Sequence, residues 1–438
     1  MKRVLALVAL LAWVGTLAVL VVLAVNHTVE ALGALACTGV ASAAGWLALT
    51  HRGFARGLGA VVAVLAVAGA LAILIGDGAF VTLVIYVVAV VLASGATTLA
   101  LARSGPAPFW TPLPAPGRPV LIMNPWSGGG KVDKFNLPEE CRRRDIEPVV
   151  LKRGDELRQL ALDAADGGAG VLGMAGGDGS QAIVAQVAME RGLPYVCVPA
   201  GTRNHLALDL GVDRDDVVGA LDAYGDEGLE RRIDLATING SVFVNNVSLG
   251  VYASIVQSDH YRDDKLGTTL RMLPDLLGPE AEPFDLRFAA PDGDDNATAD
   301  LLMVSNGPYR LDRLFGMGTR PRMDSGVLGI VAVRIAGPRQ AAEFLAMEST
   351  GTVSRFPGWR TWTAKEFVIT ADQPVPAGVD GEALSLDPPL RFVTHPDALR
   401  VRISPHHPGV SPSTEMPTSA VDAVGALGRA AFGRAPAG

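Results

Sequence analysis

Residues 1–103 carry seven charged side chains, Lys2, Arg3, Glu30, Arg52, Arg56, Asp77 and Arg103, and that scarcity limits the fold more than any motif does. Four apolar stretches fill the segment: Val4 to Val25, Ala31 to Thr50, Leu58 to Ile75 and Phe80 to Ala102. Each is near the roughly 20 residues a helix needs to cross a bilayer core. Lys2 and Arg3 give the first a signal-peptide start, but its apolar core is too long and three more stretches follow. Four transmembrane helices are expected. The basic residues Lys2, Arg3, Arg52, Arg56, Arg103 and Arg118 fall on one side of such a bundle, and Glu30 and Asp77 on the other. Both ends of the bundle are therefore expected in the cytoplasm, with everything that follows it.

The first 103 residues sum to +3 and the whole 438-residue chain to −8, so the remainder carries −11. An acidic soluble part excludes nucleic acid as the main partner, because binding a phosphate backbone takes a basic face. Cys37, Cys141 and Cys197 are far apart and lack zinc or redox spacing, which fits reduced thiols and simple packing roles. Residues 104–118, with Pro106, Pro108, Pro112, Pro114 and Pro116, read as a semi-rigid linker.

Beyond the linker, strand-like runs at Val120 to Met123, Val149 to Leu151, Gly170 to Ala175 and Tyr195 to Pro199 alternate with helical spacing at Asp155 to Ala165 and Ser180 to Glu190. Such alternation predicts a mostly parallel sheet covered by helices, with ligands at the carboxyl ends of its strands. From residue 231 the pattern becomes antiparallel: Asn239-Gly240 marks a hairpin between Arg232 to Ile238 and Ser241 to Val247. Further runs lie at 284–289, 299–304, 327–333, 366–370, 390–394 and 399–403, with helices near 265–277 and 338–348. The expected architecture is a membrane α-helical region (1–103), a linker (104–118), an α/β parallel-sheet nucleotide domain (119–230), a mainly antiparallel β-sandwich domain (231–404) that completes a cleft, and a disordered tail (405–438) with a short helix near 419–433.

Three glycine-bearing turns follow the strands of the expected parallel sheet. Gly176-Gly177-Asp178-Gly179-Ser180 joins a buried strand to a helix; glycines let main-chain N–H groups approach a phosphate, and Asp178 places a carboxylate where Mg²⁺ bridges to polyphosphate oxygens. Asn124-Pro125-Trp126-Ser127-Gly128-Gly129-Gly130-Lys131 is not a Walker A loop, since Pro125 and Val132 stand at two of its required positions. It still supplies backbone donors, a hydroxyl and a cation. Gly201-Thr202-Arg203-Asn204 is the third turn, and Thr202 and Asn204 are also plausible helix caps. Gly378-Val379-Asp380-Gly381-Glu382 brings two carboxylates near a glycine in the second domain, a pattern suited to removing a proton from a hydroxyl or equally to an acidic hairpin turn.

Taken in order, Asn124-Pro125 with Ser127-Gly128 and Lys131, Gly176 to Ser180, Gly201 to Asn204, and Asp380-Gly381-Glu382 resemble the diacylglycerol kinase catalytic family of lipid kinases over roughly Pro119 to Ile403. The resemblance implies a two-domain, Mg²⁺-dependent kinase with ATP in the interdomain cleft. By the same resemblance Asn124, Ser127, Gly128, Lys131, Gly176, Gly177, Gly179, Ser180, Thr202 and Asn204 serve the nucleotide, Asp178 the Mg²⁺, and Asp380 with Glu382 the acceptor hydroxyl. Asp324 matches an acidic position that binds a second, structural Mg²⁺ in some bacterial members. The implied activity is transfer of the γ-phosphoryl group of ATP to a diacylglycerol-like membrane lipid, by a multi-pass membrane protein. A homodimer is compatible with this reading. The alternatives are a kinase for a soluble metabolite such as NAD, and an inactive nucleotide-binding membrane sensor.

Overall fold

The four apolar stretches are helices: α1 (Lys2–Asn26), α2 (Thr28–Thr50), α3 (Phe54–Gly76) and α4 (Ala79–Leu101). The structure, a computed structural model, describes residues 2–50, 54–76, 79–101, 110–250, 284–294, 297–311 and 318–412, with 425, 427 and 428. Helix α1 lies against α4 and α2 against α3, with small residues at the contacts. Ala6, Ala9, Ala44 and Ala93 are buried, Gly33 meets Ile73, and Gly69 meets Cys37. Close approach at small residues is how helices pack when water does not drive them together. The large side chains point outward; Val4, Leu11, Val25, Leu35, Val64 and Val91 are each more than half exposed. Of the four expected spans, one meets the length and composition a crossing helix needs: Ala6–Leu23 of α1, at a mean hydropathy of 2.7. The apolar cores of the other three are shorter over the described residues, at Thr28–Ala41, Leu58–Ile73 and Val81–Thr97. Arg52, Asp77 and Arg103, on which the expected orientation partly rests, lie outside the described residues.

After a two-residue edge strand β1 (Thr111–Pro112), the apolar runs become β2 (Pro119–Met123), β3 (Glu147–Val150), β4 (Val171–Ala175) and β5 (Pro194–Val198). They are parallel, in the order β3-β2-β4-β5. Strands β4 and β5 are buried along their whole length, which is why their sequences run apolar without alternation. The connections are α5 (Lys131–Lys134), α6 (Leu137–Arg142), α7 (Leu157–Asp166), α8 (Asp178–Arg191) and α9 (His205–Leu210). Strand order reverses between β2 and β4, so the loops leaving these two strands flank the crevice where such sheets take ligands.

The second half is less separate than expected. Strands β6 (Leu229–Ile238) and β7 (Ser241–Phe243) form the expected hairpin, with Asn239 and Gly240 at φ 48° and 86° as a two-residue primed turn requires. The run expected to reach Val247 instead breaks at Val244 and Asn245, and the chain crosses to another sheet as β8 (Asn246–Gly250). Then come β9 (Arg287–Phe288), β10 (Leu301–Ser305), β11 (Leu328–Val333), α10 (Gly337–Thr350), β12 (Trp359–Ala364), β13 (Glu366–Thr370), β14 (Val375–Val379), β15 (Glu382–Leu386) and β16 (Leu390–Ile403). The two runs expected at 390–394 and 399–403 are one strand, irregular in register between His395 and Leu399. The end of β16 pairs in parallel with β5, while β16 pairs with β6 in antiparallel fashion from Phe392 to Ile403. The parallel sheet therefore continues into the antiparallel half through β16 and β6. The second sheet, β12-β11-β10-β8-β14-β15, is antiparallel throughout. It sets Leu249, Leu302, Ile330 and Ala377 into one core with Ile238, Phe243, Phe367 and Phe392 of the first, which makes the sandwich.

Both ends of the region from residue 110 to about 411 dock where free chain was expected. Trp110 donates its indole N–H to the Gly409 carbonyl at 2.7 Å, the Arg231 guanidinium lies 4.6 Å from its ring centroid, and Leu113 N–H donates to Gly228. His407 and Ser411 are buried, so the chain is packed down to about residue 411. Residues 104–109, the expected helix near 265–277 and most of the chain beyond 412 lie outside the described residues.

Gly173, in the middle of β4, is fixed by Tyr224, whose hydroxyl donates to Val120 O; a Cβ on Gly173 meets that oxygen at 1.9 Å. Gly173→Ala is expected to lose roughly 1–3 kcal/mol from this overpacking. Tyr224→Phe, by removing the colliding atom, should return part of the loss in a double-mutant comparison of denaturation midpoints.

Candidate active site

The loops leaving β2, β4 and β5 lie backbone against backbone. A Cβ on Gly128 comes 2.2 Å from Ala200 O, and one on Gly201 comes 2.5 Å from Gly177 Cα. These contacts join the three glycine turns, as the parallel topology requires, and only residues without a Cβ allow them. The fourth motif arrives from the other sheet. The turn between β14 and β15 brings Glu382 so close to the start of α8 that a Cβ on Gly179 meets its Oε1 at 2.5 Å. Asp380 and Gly381 hold that turn at φ 49° and 87°, the Asp-Gly form of a primed hairpin turn.

Within this cluster Asp178 is more than an open carboxylate. It is 8% exposed, and its two oxygens accept the His205 and Leu206 N–H groups at 3.0 and 3.1 Å, capping α9. Burial lowers the pKa of His205, while the charges of Asp178 and Asp209 oppose that shift. Asn204, in left-handed conformation, spends its amide on its own loop: Oδ1 accepts Gly201 N–H at 2.9 Å, and Nδ2 donates to Pro199 O and Gly201 O. Its part is to shape the turn whose exposed tip is Thr202. Asn124 likewise ties its loop, accepting Trp126 N–H on Oδ1, and its own N–H donates to Ala175 O, linking the first two motifs. Lys131 Nζ donates to Pro199 O at 3.3 Å, so the cation stands at the junction of the first and third loops. Ser127 and Ser180 are partly buried at the same ends. Gly129 and Gly130, at φ 72° and 80°, face open space.

Asp380 is gripped by three backbone donors: Val244 N–H at 2.8 Å on Oδ2, and Asn245 and Asn246 N–H at 2.8 and 3.2 Å on Oδ1. Burial, the largest influence, pushes its carboxyl up to about 7; the Asp178 charge adds to this, and the Val244 and Asn245 N–H groups and Arg320 oppose it. A carboxyl poised near neutrality is suited to accept a proton from a hydroxyl. Glu382 is exposed.

Three polar residues at the site had no signal in the sequence. Gln181 is buried and donates from Nε2 to Met174 O, Gly176 O and Val198 O, pinning β4 to β5, and Tyr195 donates to its Oε1. Arg320 and Asp209 form a fully buried ion pair at 2.7 Å. They are 111 residues apart in the chain, and nothing local distinguishes either from a surface charge.

Asp324 is not brought to the cluster. Its Oδ1 is paired with Arg322 Nε at 2.9 Å, and it lines a separate cavity of about 410 Å³ with Thr111, Glu230, Arg231 and Asp397. Among the described residues no three acidic, His or Cys side chains gather to hold an ion by themselves. A Mg²⁺ carried by nucleotide phosphates needs only one or two protein carboxylates and keeps several waters. Asp178, with one N–H on each oxygen and lone pairs remaining, fits that demand.

Residues 118–238 match the family model described as the diacylglycerol kinase catalytic domain. Curated relatives named diacylglycerol kinase, from Mycobacterium tuberculosis strains CDC 1551 / Oshkosh and ATCC 25618 / H37Rv, are each 27% identical over 206 residues, which is 44% of this chain and 65% of the relative. The chain thus spans about 65% of the length of the curated relatives it matches. Two crystal structures of candidate diacylglycerol kinases from Bacillus anthracis str. Sterne align over 66% and 65% of this chain and 97% and 96% of theirs, at TM-scores of 0.51 and 0.50 and 21% and 20% identity. That likeness shows a shared fold. Over residues 118–238 the chain is thus similar to a diacylglycerol kinase catalytic domain, and the relatives it matches are kinases by name.

The two glycines of the first loop separate contact from conformation. Gly128→Ala should cost roughly 2–4 kcal/mol, because a backbone carbonyl blocks its Cβ and its φ is positive. Gly129→Ala, with positive φ but open space, should cost about 1–2 kcal/mol. Equal losses in thermal denaturation of the two variants would mean that the loops do not pack against each other.

Proposed function

We propose that the chain is a membrane-anchored, ATP-dependent lipid kinase that transfers the γ-phosphoryl group to the hydroxyl of a diacylglycerol-like acceptor. The observation that carries the reading is the meeting of the three glycine turns with the Asp380-Gly381-Glu382 turn, two sheets contributing to one cleft. In this reading the N–H groups of Gly128 and of the start of α8 bind the nucleotide phosphates, those of Ser127 and Gly130 being bonded to Asn124 O and Ser127 O, and Lys131 adds a cation beside them. Asp178 would hold the nucleotide's Mg²⁺, and the ion would supply neutralisation of phosphate charge. Asp380 accepts the proton of the acceptor hydroxyl, and Glu382, over Gly179, orients that hydroxyl toward the phosphate.

The lipid acceptor is favoured by the apolar helices and by the shortness of the tether. From Leu101 at the end of α4 to the docked Trp110, even fully extended chain spans at most roughly 30 Å. On this reading all four apolar helices sit in the membrane, with the kinase domains on the cytoplasmic side. A cleft held that near a bilayer meets a lipid at high effective concentration, whereas a soluble metabolite gains nothing. Incubating the full chain with labelled ATP, Mg²⁺ and vesicles of total lipid extract should yield a labelled phospholipid; labelled NADP from NAD, with no labelled lipid, would favour a metabolite kinase.

The kcat/KM for ATP is expected to rise with pH through an apparent pKa near 7, because it reports the protein before nucleotide binds, the active form of Asp380 is the deprotonated one and its carboxyl is pushed up to about 7. Asp380→Asn should depress turnover by roughly two to four orders of magnitude while ATP affinity changes little. A pH profile unchanged by Glu382→Gln but absent in the residual activity of Asp380→Asn would assign the limb to Asp380. Asp178→Asn should lose several orders of magnitude in rate and, by weakening the α9 cap, about 1 kcal/mol of stability.

A further inference from the structure

Between the two carboxylates assigned to opposite sides of the reaction runs a line of hydrogen bonds joined by two short backbone segments, 205–209 and 244–245, with the buried Arg320 at its centre. From Asp178 the line passes through the His205 and Leu206 N–H groups into α9, which carries Asp209. Asp209 accepts the main-chain N–H of Arg320 at 2.9 Å and its Nε at 2.7 Å. The far end of the guanidinium donates to Val244 O at 2.7 Å and Asn306 O at 2.6 Å, and reaches Asn245 Oδ1 at 3.4 Å. Val244 and Asn245 are two of the three residues whose N–H groups grip Asp380. Arg320 is fully buried, and Tyr309 covers its face at 5.3 Å.

We propose that Arg320 is a positioning residue, a strut that holds Asp178 and Asp380 at a fixed separation across the cleft through Asp209 on one side and the Val244–Asn245 segment on the other. The inference deepens the kinase reading and rests on it for its kinetic consequence. Its chemistry is specific to a guanidinium, a rigid planar fork that serves a carboxylate at one edge and two carbonyls at the other. A lysine ammonium, as a single point donor, cannot span the three. The buried charge is consistent with a positioning role: a buried ion pair is weak evidence for stability, since apolar replacement of both partners is often neutral. Positioning, unlike stability, needs the directed bonds themselves. Since a displacement of about 1 Å in a catalytic group can cost on the order of 100-fold in rate, a small shift of the Asp380 cradle is enough to matter.

The test uses the full chain in lipid bilayers. Arg320→Lys keeps the charge and loses the fork; Arg320→Met combined with Asp209→Asn removes both charges while leaving an amide oxygen for the main-chain N–H of position 320. Two quantities are read in variants whose melting matches the parent. Amide hydrogen exchange should quicken at least tenfold at both His205–Leu206 and Val244–Asn246, but not in Val120–Met123. Turnover should fall on the order of 100-fold with the KM for ATP changed less than about threefold. A folded double variant with parental turnover, or exchange unchanged at either end, overturns the strut. If the parent chain transfers phosphate to no acceptor, the kinase reading falls, and the exchange measurement still decides the strut. If neither variant folds, Asp178→Asn reads the line from its other end: exchange at Val244–Asn246 should rise several-fold, and no change there overturns the proposal.

Discussion

The site depends on backbone meeting backbone. Gly201 rests on Gly177 and Gly128 rests on the Ala200 carbonyl, so three loops that leave three strands form one surface with no side chain between them. Side chains placed there would separate the loops by a methyl group or more and would cover the N–H groups that face the crevice. The order β3-β2-β4-β5 makes this contact possible, because the reversal between β2 and β4 opens room for the loops while parallel pairing sends them to the same edge. Gln181 and Asn204 then lock the arrangement, each turning its amide onto carbonyls of the strand ends and turns rather than into the crevice. The side chains that look most polar in the sequence are, in part, the mortar of the loops.

What the sequence disclosed follows from how local each signal is. The parallel strands and the glycine turns were legible because a buried strand is a short apolar run and a phosphate-ready turn must be glycine; each is written within about ten residues. The Asn239-Gly240 hairpin was legible for the same reason. Strands β12, β14 and β15 were not: Trp359–Ala364 and Glu382–Leu386 are largely exposed edge strands, and Val375–Val379 carries Pro376 and Gly378. Their pairing is set by the sheet beside them rather than by their own composition. Strand β16 read as two runs because the irregularity between His395 and Leu399 interrupts its periodicity, and its pairing with β5 is a contact between residues some two hundred positions apart. The role of Asp178 as a cap, and the whole Asp209–Arg320 pair, are long-range in the same sense. Asp324 stands apart from the glycine turns, paired with Arg322 and lining a cavity at the β1–β6 edge.

Charge explains why so acidic a site can exist. Asp178, Asp380 and Glu382 approach one cleft in a chain that is itself net negative beyond residue 103. Two like charges about 4 Å apart repel by roughly 4 kcal/mol at an effective dielectric near 20. The fold offsets such terms locally and unequally. Asp178 receives two backbone donors and the N-terminal end of α9, Asp380 receives three donors and the nearby Arg320 charge, and Glu382 keeps contact with solvent. At Asp380 burial nevertheless outweighs the donors and pushes the carboxyl up to about 7.

That inequality bears on what the crevice accepts. A polyphosphate brought to the start of α8 meets favourable N–H groups and Lys131, but also Asp178 within the same turn and Glu382 against Gly179. Phosphate oxygens alone would add negative charge to negative charge. A divalent cation held by Asp178 would, on the proposed reading, offset that repulsion, and with it the Asp178 charge that raises Asp380. On the proposed reading, nucleotide and cation therefore arrive together, and their arrival favours the deprotonated form of the base. The acidity of the cleft, unfavourable to the empty protein, is then what couples occupation of the nucleotide side to readiness on the acceptor side.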